Sequence, residues 1–80
     1  MSRATEGKSP AVRADEHLKR GHKANGDGNF VEARTHFLKS FELDGKLSSR
    51  ISASNMSKKA GDYDTAISEY QALLDDEQLG

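Results

Sequence analysis

Three histidines and one run of acidic residues are the side chains in this chain that could bind a metal ion or transfer a proton. His17 and His22 are five residues apart, whereas a spacing of three or four would place both on one helical face. His36 lies well apart from both, and no His-Glu-x-x-His pattern occurs. The spacing therefore favours histidines on the surface or in a binding groove over a metal site.

The acidic and glycine-rich segments do not complete a known reactive motif either. The acidic run at 75–77 lacks the glycine and the alternating oxygen ligands of a calcium-binding loop. The segment Gly-Asp-Gly-Asn at 26–29 lacks the Gly-Lys-Ser/Thr ending of a phosphate loop, so a turn between helices explains it better. No serine–histidine–acid or paired-carboxylate arrangement is evident. The sequence thus predicts a protein that is not an enzyme and has no cofactor or metal.

The composition of the 80 residues limits the class of protein. It is 34% hydrophobic and contains no cysteine, which predicts one small domain with a thin core and no disulfide. A net charge of −1 lacks the basic excess typical of a nucleic-acid binder. The longest apolar run, at 72–74, is far shorter than the about 20 residues of a membrane span. No secretory signal is visible, so a cytoplasmic protein that does not insert into membranes is expected.

Local signals divide the chain into a polar tail and a helical domain. Residues 1–8 are polar and aperiodic, which predicts a disordered tail ahead of a domain at 9–80. Ser9, with proline after it, is typical of a helix start, and Asn29 with a glutamate three residues later predicts a capping box. Asp62 is expected to cap the last helix. Helices are expected at about 10–25, 30–43, 48–59 and 63–78.

Apolar side chains in the second and fourth predicted helices recur at intervals of three and four, which is typical of amphipathic helices. In the second helix they are Phe30, Ala33, Phe37 and Phe41, and in the fourth Tyr63, Ala66, Ile67, Tyr70, Leu73 and Leu74. The third helix contains five serines, which are mediocre helix formers and are expected on its surface. Its expected apolar side consists of Leu47, Ile51, Ala53, Met56 and Ala60.

A shift of 33 residues aligns one half of the chain with the other. The aligned pairs are Gly21 with Ser54, Gly28 with Gly61, Phe30 with Tyr63, Ala33 with Ala66 and Phe37 with Tyr70. In each copy the second glycine position permits a tight turn, and the aromatic residue two positions later is expected to fill that turn. The alanine lets two helices approach closely, and the second aromatic residue lies one turn further along the same face. The duplication predicts two copies of one helix–turn–helix unit.

This duplicated pattern resembles the tetratricopeptide repeat, a helix–turn–helix unit of about 34 residues. The resemblance covers residues 14–79, with a first repeat at about 14–46 and a second at about 47–79. It implies an all-α fold of four antiparallel helices, arranged as two stacked hairpins like a fragment of an α-solenoid. The chain departs from the family pattern at Gly45, where a proline is usual, at His17 and Arg50, which replace a large early side chain, and at Ser54, which replaces a close-packing glycine.

The resemblance implies a non-enzymatic adaptor or scaffold that binds a peptide or protein in a groove lined by the first helix of each repeat. The groove positions carried over are Asp15, Leu18, His22, Asn25 and Gly26 from the first repeat, and Ser48, Ile51, Asn55, Lys58 and Lys59 from the second. Their basic rim suits a short acidic or C-terminal peptide. The carboxylate clamp of chaperone-binding members is not expected, because the equivalent positions hold Leu18, His22 and Ser52.

Two other functions stay open at the level of sequence. Arrays of this kind need about three units and a cap, so two units are expected to leave Leu73, Leu74 and Leu79 partly uncovered. Either further repeats of a longer protein cover them, or a second copy does, which would make the chain a self-assembling, dimeric unit. The other alternative is a three-helix module of the microtubule-interacting-and-transport type, which shares the Gly-aromatic-x-x-Ala turn and binds helical peptides.

Overall fold

The computed structural model describes residues 8–79, with side chains as far as residue 76, and it consists of four α-helices. The helices are α1 (Pro10–Gly26), α2 (Phe30–Asp44), α3 (Leu47–Lys59) and α4 (Tyr63–Leu79). The predicted all-α class is confirmed, and each helix ends within one residue of its predicted position. Four helices in the described range contradict the three-helix alternative. The predicted tail lies outside the described residues except for Lys8.

Short polar side chains begin two of the helices as predicted. The Ser9 hydroxyl accepts a hydrogen bond from the backbone amide three residues later, at 3.2 Å, and Asp62 does the same for α4, at 3.3 Å. The predicted capping box at Asn29 is wrong, because the Asn29 side chain makes no capping hydrogen bond. Its backbone amide donates instead to the carbonyl of Ala24, at 2.8 Å, which fixes the residue in the turn.

The turn between α1 and α2 and the turn between α3 and α4 contain the same hydrogen bonds, 33 residues apart. In each turn the glycine amide donates to the carbonyl three residues earlier, at 3.0 Å. The next amide donates to the carbonyl five residues earlier, at 2.8 Å in the first turn and 2.9 Å in the second. Gly28 and Gly61 have φ angles of 81° and 87°, which favour glycine. Both helices therefore end in a Schellman motif, and the duplicated residues form duplicated turns.

The core lies where α1, α2 and α3 meet, and it consists of Ala24, Ala33, Phe37, Ala53 and Met56. The approach of α1 to α2 is so close that a Cβ atom on Gly21 would lie 2.8 Å from the Phe37 ring. The aligned residue in the second copy, Ser54, is buried as well, and so are Ala33 and Ala66. The small residues of the repeat thus lie buried between helices in both halves.

The buried face of α3 differs from the predicted apolar side. Leu47 and Ile51 are 53% and 43% exposed, whereas three of the serines are buried. Each of these hydroxyls has a partner: Ser49 has Ser40, Ser54 has Glu69, and Ser57 has Arg34. The prediction was wrong because a serine whose hydrogen bond is satisfied packs between helices much as alanine does.

α4 packs against α3 and leaves one side exposed. Ala66 is buried, but Tyr63 is 61% exposed, so the prediction that this aromatic residue fills its turn is wrong. Its counterpart Phe30 is half-buried because the end of α3 covers it, with Lys59 Nζ 5.7 Å from the ring centroid. No helix in the described part of the chain covers Tyr63 in that way.

None of the four helices has the length and apolar character needed to cross a membrane.

Candidate functional site

A pocket of about 290 Å³ opens between α1 and α3, with α2 beneath it. Its floor consists of two apolar side chains, Phe37 and Met56, which are 1% and 4% exposed. The His22 ring packs edge-on against Phe37, with ring centroids 5.2 Å apart. The remaining lining residues, which we call the rim, are His22, Asn25, Ser52, Asn55, Lys58 and Lys59.

Five of the ten predicted groove positions line this pocket, namely His22, Asn25, Asn55, Lys58 and Lys59. The other five do not, and one of them is the exposed Gly26 at the end of α1. Asp15 lies on the exposed side of α1 and pairs with Lys19 at 3.2 Å, and Leu18 is half-buried against the core. Ser48 and Ile51 are exposed on α3 outside the pocket. The structure therefore brings together the C-terminal halves of the two predicted groove helices.

Three lining residues were not predicted as part of the site. Phe37 was expected in the core, Met56 on the apolar side of α3, and Ser52 was considered as a clamp position that does not match. Phe37 belongs to a second helix of the repeat, so a rule that takes groove residues from the first helices cannot find it. The signal that could have revealed it is its partner Gly21, which brings α1 close enough for the ring to reach the pocket.

Hydrogen bonds orient the two asparagines of the rim. Asn25 Oδ1 accepts a bond from Lys59 Nζ at 3.0 Å, and Asn55 Oδ1 accepts one from the hydroxyl of Tyr70 on α4. Because both amide oxygens are engaged, the amide nitrogens are the groups left to donate to a ligand. Lys58 makes no ion pair with any side chain that the structure describes. The rim is therefore rich in donors.

The charge of the pocket has one sign. Two of its lining residues are lysines, and none of those that the structure places around it is acidic. An anionic group entering the pocket would meet two ammonium groups and the asparagine amides above an apolar floor. Charge-assisted hydrogen bonds of this type are roughly twice as strong as neutral ones. The arrangement can bind a carboxylate that is attached to an apolar side chain.

An ion pair behind the pocket fixes α3 between its neighbours. Arg34 of α2 donates two hydrogen bonds of 2.7 Å to the carboxylate of Glu69 on α4. The same guanidinium donates to the Ala53 carbonyl at 3.2 Å and to the Ser57 hydroxyl at 2.7 Å, both on α3. The hydrogen bonds from Arg34 hold the pKa of Glu69 below its usual value. The network joins three helices through half-buried charges.

Two of the histidines form a pair away from the pocket. His17 Nδ1 and His36 Nδ1 are 3.0 Å apart, and the rings stack with centroids 5.3 Å apart. Burial lowers the pKa of His17, and the positive charges of its neighbours, with His36 foremost, lower it further. The pair joins α1 to α2, and the third histidine, His22, lies at the pocket rim.

The residues predicted for self-association have different surroundings. Leu74 is 55% exposed, whereas Leu73 is half-buried. The side chain of Leu79 lies outside the part of the chain whose side chains are described. The other large apolar residues of α4 that are exposed are Tyr63 and Ile67, at 61% and 59%.

Comparison with protein-family models, with curated proteins and with solved structures gives no match to this chain. Its function must therefore be inferred from its own geometry. The pocket between α1 and α3 offers the clearest basis, since it combines an apolar floor with hydrogen-bond donors from lysine and asparagine side chains.

Proposed function

We propose that this chain is a non-enzymatic protein-interaction module that binds an acidic peptide segment in the pocket between α1 and α3. The observation that carries the proposal is the apolar floor of Phe37 and Met56 beneath a rim of lysine and asparagine donors. An acidic residue or a free C terminus would supply the carboxylate, and a neighbouring apolar side chain would occupy the floor. The volume lies at the lower limit of ligand pockets, which span about 300–1,000 Å³, and suits one anchoring side chain.

The proposal includes an arrangement of two tetratricopeptide-like hairpins, α1 with α2 and α3 with α4. Support comes from the two Schellman turns 33 residues apart and from the buried small residues at aligned positions. In such an arrangement the first helix of each hairpin lies on the same side and contributes to one recognition surface. The pocket residues on α1 and α3 fit that division of roles.

Selection from a library of octapeptides with free C termini tests the proposal. We expect the enriched peptides to be acidic and to carry an apolar residue next to the acidic one. Lys58→Glu should weaken binding of an enriched peptide at least about tenfold, which corresponds to about 1.4 kcal/mol. Enrichment of basic peptides, or of none, would contradict the proposal.

The matched control is Lys46→Glu, which makes the same change of charge at the opposite end of α3. Lys46 is exposed and does not line the pocket, so its substitution should act through the long-range field alone. We expect that effect to disappear in about 0.15 M salt, where charges are screened over about 8 Å. Equal weakening by both substitutions at that salt concentration would show that net charge, not the pocket, determines binding.

A further inference from the structure

The exposed side of α4 carries a stripe of large apolar residues, Tyr63, Ile67 and Leu74, which we call the α4 stripe. They are separated by four and seven residues, so they share one face of the helix. Each is more than half exposed, at 61%, 59% and 55%. The stripe lies outside the pocket between α1 and α3.

The repeat identifies what covers the equivalent face of α2. A shift of 33 residues places Phe30, Arg34 and Phe41 at the positions of the α4 stripe. All three are half-buried, and α3 contacts each of them. Lys59 lies over the Phe30 ring, Arg34 bonds to Ala53 and Ser57, and Arg50 lies over the Phe41 ring at 5.8 Å. The face of α2 is therefore covered by a helix, α3, that contacts it with small residues at the centre. This helix places a lysine or arginine over each of the two aromatic rings.

The charge of α4 indicates the charge of a helix that would cover the α4 stripe. The helix Tyr63–Leu79 contains five acidic residues and no lysine or arginine. Asp64 and Asp75 each follow a residue of the α4 stripe, and both are exposed without an ion pair to any described side chain. The segment 46–60, which contains α3, has four basic residues and no acidic one. A basic helix thus complements α4 as α3 complements α2.

We propose that the α4 stripe is a docking surface for a basic amphipathic helix of a partner protein. The helix lies along α4 with small or apolar residues on Ile67, a lysine or arginine over the Tyr63 ring, and further basic residues near Asp64 and Asp75. A cation over an aromatic ring adds about 0.5–2 kcal/mol to such a contact. Pairing α4 with α4 of a second copy is disfavoured, because it would bring Asp64 and Asp75 of both copies together, with no basic residue on either helix to pair with them.

A labelled peptide with the sequence of residues 46–60 is the probe, because the chain itself places that helix on the equivalent face. The peptide is titrated with the full chain, and binding is measured by fluorescence anisotropy. We expect saturable binding, and we expect at least tenfold weaker binding to the variant Ile67→Asp. Ile67 is 59% exposed, so this variant should keep the fold, which circular dichroism verifies.

Two controls separate docking from general attraction. Val31→Asp introduces the same type of change at a 71% exposed residue of α2 and should leave peptide affinity within twofold of the parent. The same peptide with its four basic residues replaced by glutamate should not bind. No saturable binding of the basic peptide, equal binding of the acidic peptide, or equal loss in both variants would overturn the proposal.

Sedimentation velocity of the chain alone tests a second copy as the occupant. We expect no dimer that depends on the α4 stripe at concentrations up to those of the peptide titration. A dimer that Ile67→Asp dissociates would assign the surface to self-association and overturn the proposal. The acidic octapeptide of the pocket should bind Ile67→Asp normally, so failure at one surface can be distinguished from failure at the other.

Discussion

Glu69 and Asp76 are two carboxylates of α4 that accept hydrogen bonds from arginines, and their surroundings predict different effects on stability. Glu69 receives two 2.7 Å bonds from Arg34 and one from Ser54, and its side chain is 29% exposed. Asp76 receives one bond, from Arg50 at 2.9 Å, and its side chain is 59% exposed. When a substitution removes such a hydrogen bond, water replaces it at an exposed site but not at a site that helices enclose.

We therefore expect Glu69→Gln to lower the free energy of unfolding by about 1–3 kcal/mol, because it leaves the half-buried Arg34 charge without its counter-ion. Asp76→Asn, the matched control, should lower it by less than about 1 kcal/mol. Urea unfolding followed by circular dichroism measures both. Equal effects of the two substitutions would show that the Arg34 network does not hold the helices together.

The paired histidines predict a dependence of stability on pH. Burial and the charges of His36, Arg20, Lys39 and Arg13 lower the pKa of His17 below its ordinary value of 6.5. The folded state therefore binds fewer protons than the unfolded state as the pH falls through that range. The stabilisation is complete above about pH 6.5 and is lost as the pH falls towards the lowered pKa.

We expect the melting temperature to fall between pH 7.5 and pH 5.5, and His17→Gln to reduce that fall. His22→Gln is the control, because His22 is exposed and does not belong to the pair. Calorimetry at several pH values in constant salt measures the dependence. If His17→Gln leaves the slope of stability against pH unchanged, proton uptake at His17 does not contribute to it.

At the scale of the helix, Gly21 and Gly26 lie in α1 and predict opposite effects of one substitution. A Cβ atom on Gly21 would meet the buried Phe37 ring at 2.8–3.0 Å, whereas one on Gly26 would meet nothing within 4 Å. Overpacking of a core costs about 1–3 kcal/mol, and replacing a helical glycine with alanine gains at most about 1 kcal/mol. We expect Gly21→Ala to destabilise the chain and Gly26→Ala to stabilise it slightly, as measured by urea unfolding. A stable Gly21→Ala variant would mean that α1 and α2 separate easily.

Helix boundaries could be predicted because their signals are local, as Ser9, Asp62, Gly28 and Gly61 illustrate. Each of these residues satisfies or directs backbone groups within a few positions of itself, so its effect depends little on the rest of the fold. The capping box at Asn29 was wrong: its side chain makes no capping hydrogen bond, whereas that of Asp62, at the aligned position of the second Schellman turn, caps α4.

The buried faces were harder to predict because they depend on neighbours distant in the sequence. Ser57 is buried and accepts a hydrogen bond from Arg34 of α2, and no spacing rule predicts that contact. Tyr63 is exposed although its aligned partner Phe30 is covered, because the cover comes from another helix. The predicted groove was half right for a related reason: a helical register places His22 and Asn55 correctly, but it does not show that Phe37 of α2 reaches the same pocket.

At the scale of the whole molecule, α4 is joined to the rest differently from the other helices. The core residues come from α1, α2 and α3, and the described part of the chain measures 43 × 34 × 16 Å, about two helices thick. α4 is joined through Ala66 and through the bonds of Glu69, Tyr70 and Asp76. An element with few buried apolar contacts opens at lower free energy than the core.

We therefore expect native-state hydrogen exchange to reveal a separate opening of α4, with lower protection for its amides than for those near Ala33 and Phe37. Glu69→Gln should lower protection in α4 more than in α1 and α2, because it removes the bond between α4 and α2. Binding of the basic peptide should raise protection in α4. Since Tyr70 of α4 orients Asn55, the opening of α4 also releases a donor at the pocket rim. Uniform protection across the four helices would contradict this and would make the two surfaces parts of one cooperative unit.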